Sequence, residues 1–135
     1  MNLGKYIFAT LSADATLTTL VGTRIYPVFL PQAAAYPAIV YTVANAPLDR
    51  QKDATAFHDR AVVTFHIWAD ALQSQDAYNA LDDIDSALRA ALDFVEGTAG
   101  GVTAESCEYE GSRDGRDEER TLFLREATYK FITLN

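Results

Sequence analysis

Residues 60–68 (RAVVTFHIW) alternate between two sets of side chains, and no other pattern in the chain constrains its fold as strongly. One set is uniformly apolar and the other is mixed; the first comprises Ala61, Val63, Phe65 and Ile67, and the second Val62, Thr64, His66 and Trp68. A period of two is typical of a β-strand that turns one face toward a core. Since a single strand is not stable by itself, the chain is expected to build a sheet.

A helical period follows directly after this strand. Over residues 75–95 the apolar positions form one stripe, and most of the acidic residues fall on the opposite side. The stripe consists of Ala77, Leu81, Ile84, Leu88, Ala91, Leu92 and Val95. This spacing predicts a long amphipathic helix with Ser74 as its N-cap.

The N-terminal third predicts two further helices and a proline-rich arm. An i, i+4 apolar pattern indicates a helix over residues 2–12, and a second short helix runs between the N-cap Asp14 and the stop Gly22. Residues 23–37 hold three of the four prolines, so residues 25–28 are expected to form at most an edge strand or an extended arm.

The other segments are read from apolar runs and turn residues. We predict strands at residues 38–44, 102–109 and 121–134, a long loop at 45–58, a turn at 97–101 and an exposed charged turn at 111–119. With two to three helices and about four to five strands, the chain is predicted to be one α+β domain, residues 1–135, with an antiparallel or mixed sheet.

The charge is distributed unevenly. Residues 70–110 carry ten acidic residues against Arg89 alone, a balance of −9, whereas the rest of the chain carries nine acidic and ten basic residues, a balance of +1. Clustered Lys and Arg are therefore missing, which argues against nucleic-acid binding. No apolar run reaches the roughly 18–20 residues of a membrane span, so we expect no membrane partner.

Candidate catalytic and metal-binding residues are sparse. His58 has no ligand partner at i+3 or i+4, and His66 shares a strand face with Val62 and Trp68 and is interpreted as a half-buried sheet residue. Cys107 lies beside Glu108, which raises the pKa of a thiol. Asp82, Asp83 and Asp85 are interpreted as a solvated helix face. We therefore expect no enzyme activity, cofactor or metal. A ligand-binding or hydrolytic domain using the histidines and helix carboxylates stays as an alternative.

Several apolar side chains fall in arm or loop segments that a domain of this size does not necessarily cover. They are Tyr26, Val28, Phe29, Leu30, Tyr36 and Phe57. Two readings stay open: these side chains pack beneath the helices, or they form an oligomer contact.

The N-terminal half resembles the phage tail-completion protein family. The resemblance lies in LTTLVGTRIYP at residues 17–27, LPQ at 30–32 and PAIVY at 37–41, and it continues through IWA at 67–69 and the long closing strand. It implies a non-catalytic virion protein of a long-tailed phage or prophage, made in the host cytoplasm.

The resemblance further implies a tail terminator, which assembles as a hexameric ring and contacts the tail-tube protein and the head–tail connector protein. A neck adaptor on the head side is the alternative. The candidate interface residues are Arg24, Tyr26, Val28, Phe29, Leu30, Tyr36, Arg50 and Lys52. Because DNA passing through a ring is repelled by like charge, Asp76, Asp82, Asp83 and Asp93 are the candidates for the ring lumen.

Overall fold

Three helices pack on one face of a six-stranded mixed sheet. A computed structural model describes residues 3–47, 58–72, 76–93, 95–119 and 121–134. The elements in chain order are α1 (Leu3–Ser12), α2 (Ala15–Val21), β1 (Ile25–Pro27), β2 (Ala38–Pro47), β3 (His58–Asp70), α3 (Ala77–Leu92), β4 (Gly97–Ala99), β5 (Val102–Asp117) and β6 (Leu122–Leu134). The predicted α+β class and mixed sheet are confirmed.

The order of the strands across the sheet is β1-β2-β3-β6-β5-β4. Only β1 and β2 run parallel, and every other neighbouring pair is antiparallel. The short strands β1 and β4 therefore occupy the two edges, as expected for the proline-containing segment at β1. The sheet has six strands rather than four or five, because residues 97–99 pair with β5 and only Gly100 and Gly101 form the turn.

The predicted alternation of side chains along β3 agrees with their burial in the structure. Ala61, Val63, Phe65 and Ile67 are fully buried under the helices. Phe65 and Tyr129 of β6 meet edge to face, with ring centroids 5.5 Å apart, at the centre of this layer. The side chains on the other face of β3 are half-buried or exposed, since all three helices cover the same face.

Two predicted caps are present in α2. The Asp14 side chain accepts a hydrogen bond from the backbone N–H of Leu17 at 3.0 Å, and Gly22 ends the helix with φ of 61°. The helix predicted at 75–95 spans Ala77–Leu92, because Asp93 adopts an extended backbone. Ser74 lies outside the described residues.

Two predicted connections are shorter than expected. Residues 111–117, interpreted as part of a charged turn, continue β5, so the β5–β6 hairpin turns only after Asp117. Beyond Ala104 no described strand pairs with the outer edge of β5, and charged residues are suited to such a solvated edge. The connection predicted as a loop over residues 45–58 is shorter, because β2 extends to Pro47 and β3 begins at His58. Residues 48–57 lie outside the described ranges.

Within the described ranges, no helix has the length and apolar character needed to cross a bilayer.

Candidate assembly surfaces

The candidate catalytic residues are not brought together. His58 Nε2 lies 2.9 Å from the Glu105 carboxylate at one end of β3, and His66 Nε2 lies 3.7 Å from Glu126. His66 is on the sheet face that carries no helices, so α3 and its carboxylates lie on the other side. The polar pocket required by the hydrolytic alternative is not found among the described residues.

Cys107 is buried in the core between the sheet and the helices. Burial, with a smaller contribution from the nearby carboxylates of Asp93 and Glu108, raises the pKa of its thiol to about 12. The thiol is therefore uncharged at neutral pH and unsuited to act as a nucleophile. No group of three or more metal-ligating side chains comes together in the described part of the chain.

The arm, residues 26–36, presents two large apolar side chains to solvent. Val28 is 70% exposed and Phe29 is 71% exposed, whereas Tyr26, Leu30 and Tyr36 are half-buried. The candidate interface residues of the arm therefore fall into two groups. Val28 and Phe29 protrude into solvent, and the other three are partly covered by the subunit itself.

The backbone of the arm is held in a strained turn. Val28 has φ of 69°, a conformation that a β-branched residue rarely adopts. The turn is closed by a hydrogen bond of 2.8 Å from the Phe29 N–H to the Pro27 carbonyl, and the Val28 N–H donates to the Tyr41 carbonyl at 2.9 Å. Strain of this kind persists only where surrounding structure imposes it, and it is concentrated at functional sites.

Arg24 closes the base of the arm. Its Nε donates a hydrogen bond of 2.8 Å to the Pro37 carbonyl, which joins the chain before the arm to the chain after it. This contact gives Arg24 a role inside the subunit. The other two basic interface candidates, Arg50 and Lys52, and the apolar Phe57 lie outside the described residues.

An apolar groove lies beside the arm, between α1 and the outer part of β2. Its volume is about 690 Å³, and it is lined mainly by Phe8, Ala9, Pro27, Val28, Tyr41 and Val43. Phe8 is 49% exposed, an unusual position for a large aromatic side chain on a helix that faces the core. The groove was not predicted, because it arises where α1 leaves the end of β2 uncovered.

The four acidic lumen candidates have different environments. Asp76, Asp82 and Asp83 are exposed on α3 or at its N-terminus, and Asp76 and Asp83 border a cleft with Asp70. The Asp93 side chain is only 12% exposed and lies 3.3 Å from Arg89 Nε. We therefore call Asp76, Asp82 and Asp83 the acidic face and treat Asp93 separately.

A cluster around Arg125 joins the acidic face to the β5–β6 hairpin. The Arg125 side chain is 10% exposed and forms ion pairs with Asp82 and Asp85 of α3 and, through Nε at 2.7 Å, with Asp114 of β5. Tyr78 donates a hydrogen bond of 2.6 Å to Asp114 and accepts one of 3.2 Å from Arg125.

The pKa values of two carboxylates in this cluster, Asp85 and Asp114, are shifted in opposite directions. Hydrogen bonds from Arg125 and Tyr78 lower the pKa of Asp114, whereas burial raises the pKa of Asp85 despite the attraction of Arg125.

One signal in the sequence could have revealed the cluster. In β6, Arg125 shares the parity of the buried Ala127, Tyr129 and Phe131, so it is placed on the core face.

These features define a class of protein. The described residues form an α+β domain with helices on one face of the sheet and exposed apolar surface at its edge, and such surface is typical of subunits that contact other proteins.

The chain belongs to a particular family within this class. The family model "Tail completion protein gp17" matches residues 5–134, so the protein is a phage tail completion protein, a structural component of the tail. This confirms the resemblance found in the sequence.

A solved structure shares the fold. A chain of the structure titled "Virion of native gene transfer agent (GTA) particle" is similar with a TM-score of 0.73 and 17% identity. The similarity covers 96% of this chain and 92% of that chain. No curated protein matches the sequence.

Proposed function

We propose that the protein is a tail terminator that assembles as a homo-oligomeric ring of six copies at the head-proximal end of the tail. In this role it joins the tail-tube protein on one side to the head–tail connector protein on the other. It is made in the host cytoplasm and becomes part of the virion. The match to a chain of a virion particle supports a place in the assembled particle.

An exposed apolar region, made of the arm and the groove that adjoins it, carries the proposal. The arm presents Val28 and Phe29, and the groove between α1 and β2 begins next to them, with Phe8 at its rim. A closed ring requires a heterologous interface, in which unlike surfaces of neighbouring copies meet. Exposed apolar surface of this kind is typical of an interface.

We further propose that the acidic face lines the lumen of the ring. Asp76, Asp82 and Asp83 are exposed on α3 or at its N-terminus, with Asp82 also paired to Arg125. The balance of −9 over residues 70–110 supports a surface that does not bind phosphate. A ring structure with these three residues on the outer rim would contradict this assignment. Asp93 contributes little surface charge in this arrangement, because its carboxylate is engaged inside the subunit.

The absolute mass in solution is the first test. Light scattering on a sizing column is expected to give a discrete species near six times 14.8 kDa at high protein concentration. The double substitution Tyr26→Asp with Phe29→Asp is expected to give folded monomers, because it places charge in the apolar contact. Leu72→Asp is the control, since Leu72 is 80% exposed and lies beyond the end of β3.

A neck adaptor on the head side is the second candidate, as the resemblance in the sequence implied. Pull-down with purified tail-tube protein and with the purified connector complex distinguishes the two roles. Binding to tail tubes is expected of a terminator, and binding to the connector complex alone would favour the adaptor. A stable dimer would contradict both ring proposals.

A further inference from the structure

The groove between α1 and β2 has the size and the lining of a binding site. Its volume of about 690 Å³ lies within the range of about 300–1,000 Å³ that is usual for ligand pockets. Phe8, Val28 and Val43 make the lining mainly apolar, and Lys5 and Tyr41 add polar groups to it. A mainly apolar pocket with a few polar groups binds its partner in a definite orientation.

The walls of the groove are held in place by the fold. The Val28 N–H donates a hydrogen bond of 2.9 Å to the Tyr41 carbonyl, which fixes the arm against β2. At the other end, the turn between β4 and β5 packs directly on α1, because a Cβ at Gly100 would overlap the backbone of Lys5. Glycine at this position permits both the close approach and the φ of 59°. The groove is thus preformed in the folded subunit.

Tyr41 brings an unsatisfied hydroxyl to the groove. Its side chain lines the groove and is 5% exposed. Burial alone raises the pKa of Tyr41, and the hydroxyl has no hydrogen-bond partner among the described residues. Buried polar groups are normally hydrogen-bonded, since leaving one without a partner is unfavourable. A polar group of a bound partner would supply the hydrogen bond that Tyr41 lacks.

Lys5 brings a positive charge to the groove. It is exposed, and it is the only charged residue among the described residues that line the groove. Within the described part of the chain it forms no ion pair. Lys5 also lies in the first turn of α1, where the helix dipole adds to the positive potential. This end of the groove therefore favours an anionic group.

We propose that the groove binds an apolar peptide segment of another virion protein, with one Asp or Glu carboxylate of the segment against Lys5. The apolar side chains of the segment lie on Phe8 and Val43, and one of its polar groups bonds to the Tyr41 hydroxyl. The proposal deepens the proposed function and rests on it, since the ring there meets the tail-tube and connector proteins.

The arm of a second copy does not match the groove. Residues 26–36 carry no charged residue, so the arm cannot supply the anion for Lys5. Val28 moreover belongs to the arm and to the groove at once. Two surfaces that adjoin in this way pair reciprocally, as in a two-fold dimer, whereas a ring is closed by unlike surfaces. Another protein therefore fits the groove better than a second arm does.

A peptide also matches the shape of the groove better than a small molecule does. Val28 forms part of the wall and is nevertheless 70% exposed, so the groove opens to solvent beside the arm. A peptide chain that enters the groove passes Val28 and continues over the surface of the subunit. A small molecule would instead stay uncovered on this side.

The binding of two synthetic peptides to the monomer tests the charge. Acetyl-Leu-Leu-Glu-Leu-amide and acetyl-Leu-Leu-Gln-Leu-amide differ by one negative charge, and NMR titration gives the dissociation constant of each. Light scattering identifies the protein concentration at which the chain is monomeric. We expect the glutamate peptide to shift the amide signals of residues 5–9 and 41–43 and to bind about fivefold more tightly than the glutamine peptide. Equal affinities, or unshifted signals at millimolar peptide, would overturn the proposal.

Three variants locate the site. Lys5→Gln is expected to abolish the preference for the glutamate peptide, and Tyr41→Phe to weaken the binding of both peptides by about threefold. Lys130→Gln is the matched control, because it removes the same charge from the sheet face that carries no helices. A preference that survives in Lys5→Gln, or disappears in Lys130→Gln, would overturn the assignment of the charge to Lys5. Unchanged binding by Tyr41→Phe would overturn the role of the hydroxyl.

Two further outcomes would give the groove to a different occupant and overturn the proposal. One is loss of peptide binding when the chain assembles into rings, which would mean that a neighbouring copy fills the groove. The other is tighter binding of decanoate than of the glutamate peptide, which would indicate a site for a small amphiphile. A chain that forms no ring, even with purified tail tubes, would instead overturn the proposed function, and peptide binding to the monomer is measured independently of that result.

Discussion

The carboxylate of Asp93, directly after α3, accepts a hydrogen bond from the backbone N–H of Tyr109 in β5, with 3.2 Å between Asp93 Oδ1 and the nitrogen. The second oxygen lies 3.3 Å from Arg89 Nε, and the Arg89 guanidinium lies over the Tyr109 ring at 4.2 Å from its centroid. One residue that ends a helix thus also closes part of a sheet edge.

Replacing Asp93 by alanine is expected to lower the free energy of unfolding by about 1–2 kcal/mol, because the Tyr109 N–H loses its acceptor. Asp93→Asn keeps an acceptor and should have a smaller effect. Urea unfolding measures both, with Asp83→Asn, at an exposed position of the same helix, as the control. Equal stability of Asp93→Ala and the unmodified chain would show that the hydrogen bond contributes nothing.

Arg125→Met should destabilise the fold by about 2–3 kcal/mol, since it leaves Asp82, Asp85 and Asp114 without their cation. Arg113→Met is the matched control, because Arg113 is 79% exposed and pairs only with Glu126 in the described contacts. It is expected to change the stability by less than about 0.5 kcal/mol. Thermal unfolding of the two variants decides whether the cluster is required.

Asp85→Asn tests the pH dependence of the cluster. Burial raises the pKa of Asp85 in the folded chain, so its contribution favours folding at low pH and is lost as the pH rises above the ordinary Asp value of about 4. The variant should therefore gain stability relative to the unmodified chain as the pH increases above about 4. A difference that is constant over this range would contradict the buried charge.

Val28→Asn should raise the free energy of unfolding of the monomer by about 1 kcal/mol, because asparagine tolerates the positive φ that valine resists. The same variant should weaken ring formation, since it removes an exposed apolar side chain from the arm. Circular dichroism and light scattering separate the two effects. Phe29→Asn, beside it at ordinary φ, should weaken the ring without the gain in stability.

The sequence patterns gave correct secondary structure where the periodicity of apolar residues matches the face of the strand or helix that is buried. The alternation in β3 is confirmed, because all of its buried positions share the predicted parity. The apolar stripe of α3 is confirmed in part: Ala77, Leu81, Ile84, Leu88 and Leu92 are buried, whereas Ala87 is buried outside the predicted stripe, Ala91 is half-buried and Val95 lies beyond the end of the helix. The prolines near β1 correctly predicted an edge strand, since a missing N–H is tolerated only there.

The features that the sequence did not predict depend on contacts between segments that are distant in the chain. Glycine and charge in residues 111–117 resemble a turn, but in the fold β6 holds them as a strand, and Asp114 is held by Arg125 and Tyr78 from other elements. Apart from the parity of Arg125 in β6, contacts between residues this far apart leave no local pattern. The groove beside α1 and the strained turn at Val28 are likewise products of packing that no single segment encodes.

The position of β6 has a consequence for the order of folding during synthesis. This strand lies between β3 and β5, so the centre of the sheet stays open until the residues up to Leu134 have left the ribosome. Until then the nascent chain has neither a continuous sheet nor a finished core, and its pairings join segments far apart in sequence, which slows folding. A chain cut off before β6 therefore has no continuous sheet on which its helices can pack, and we expect it to stay unfolded.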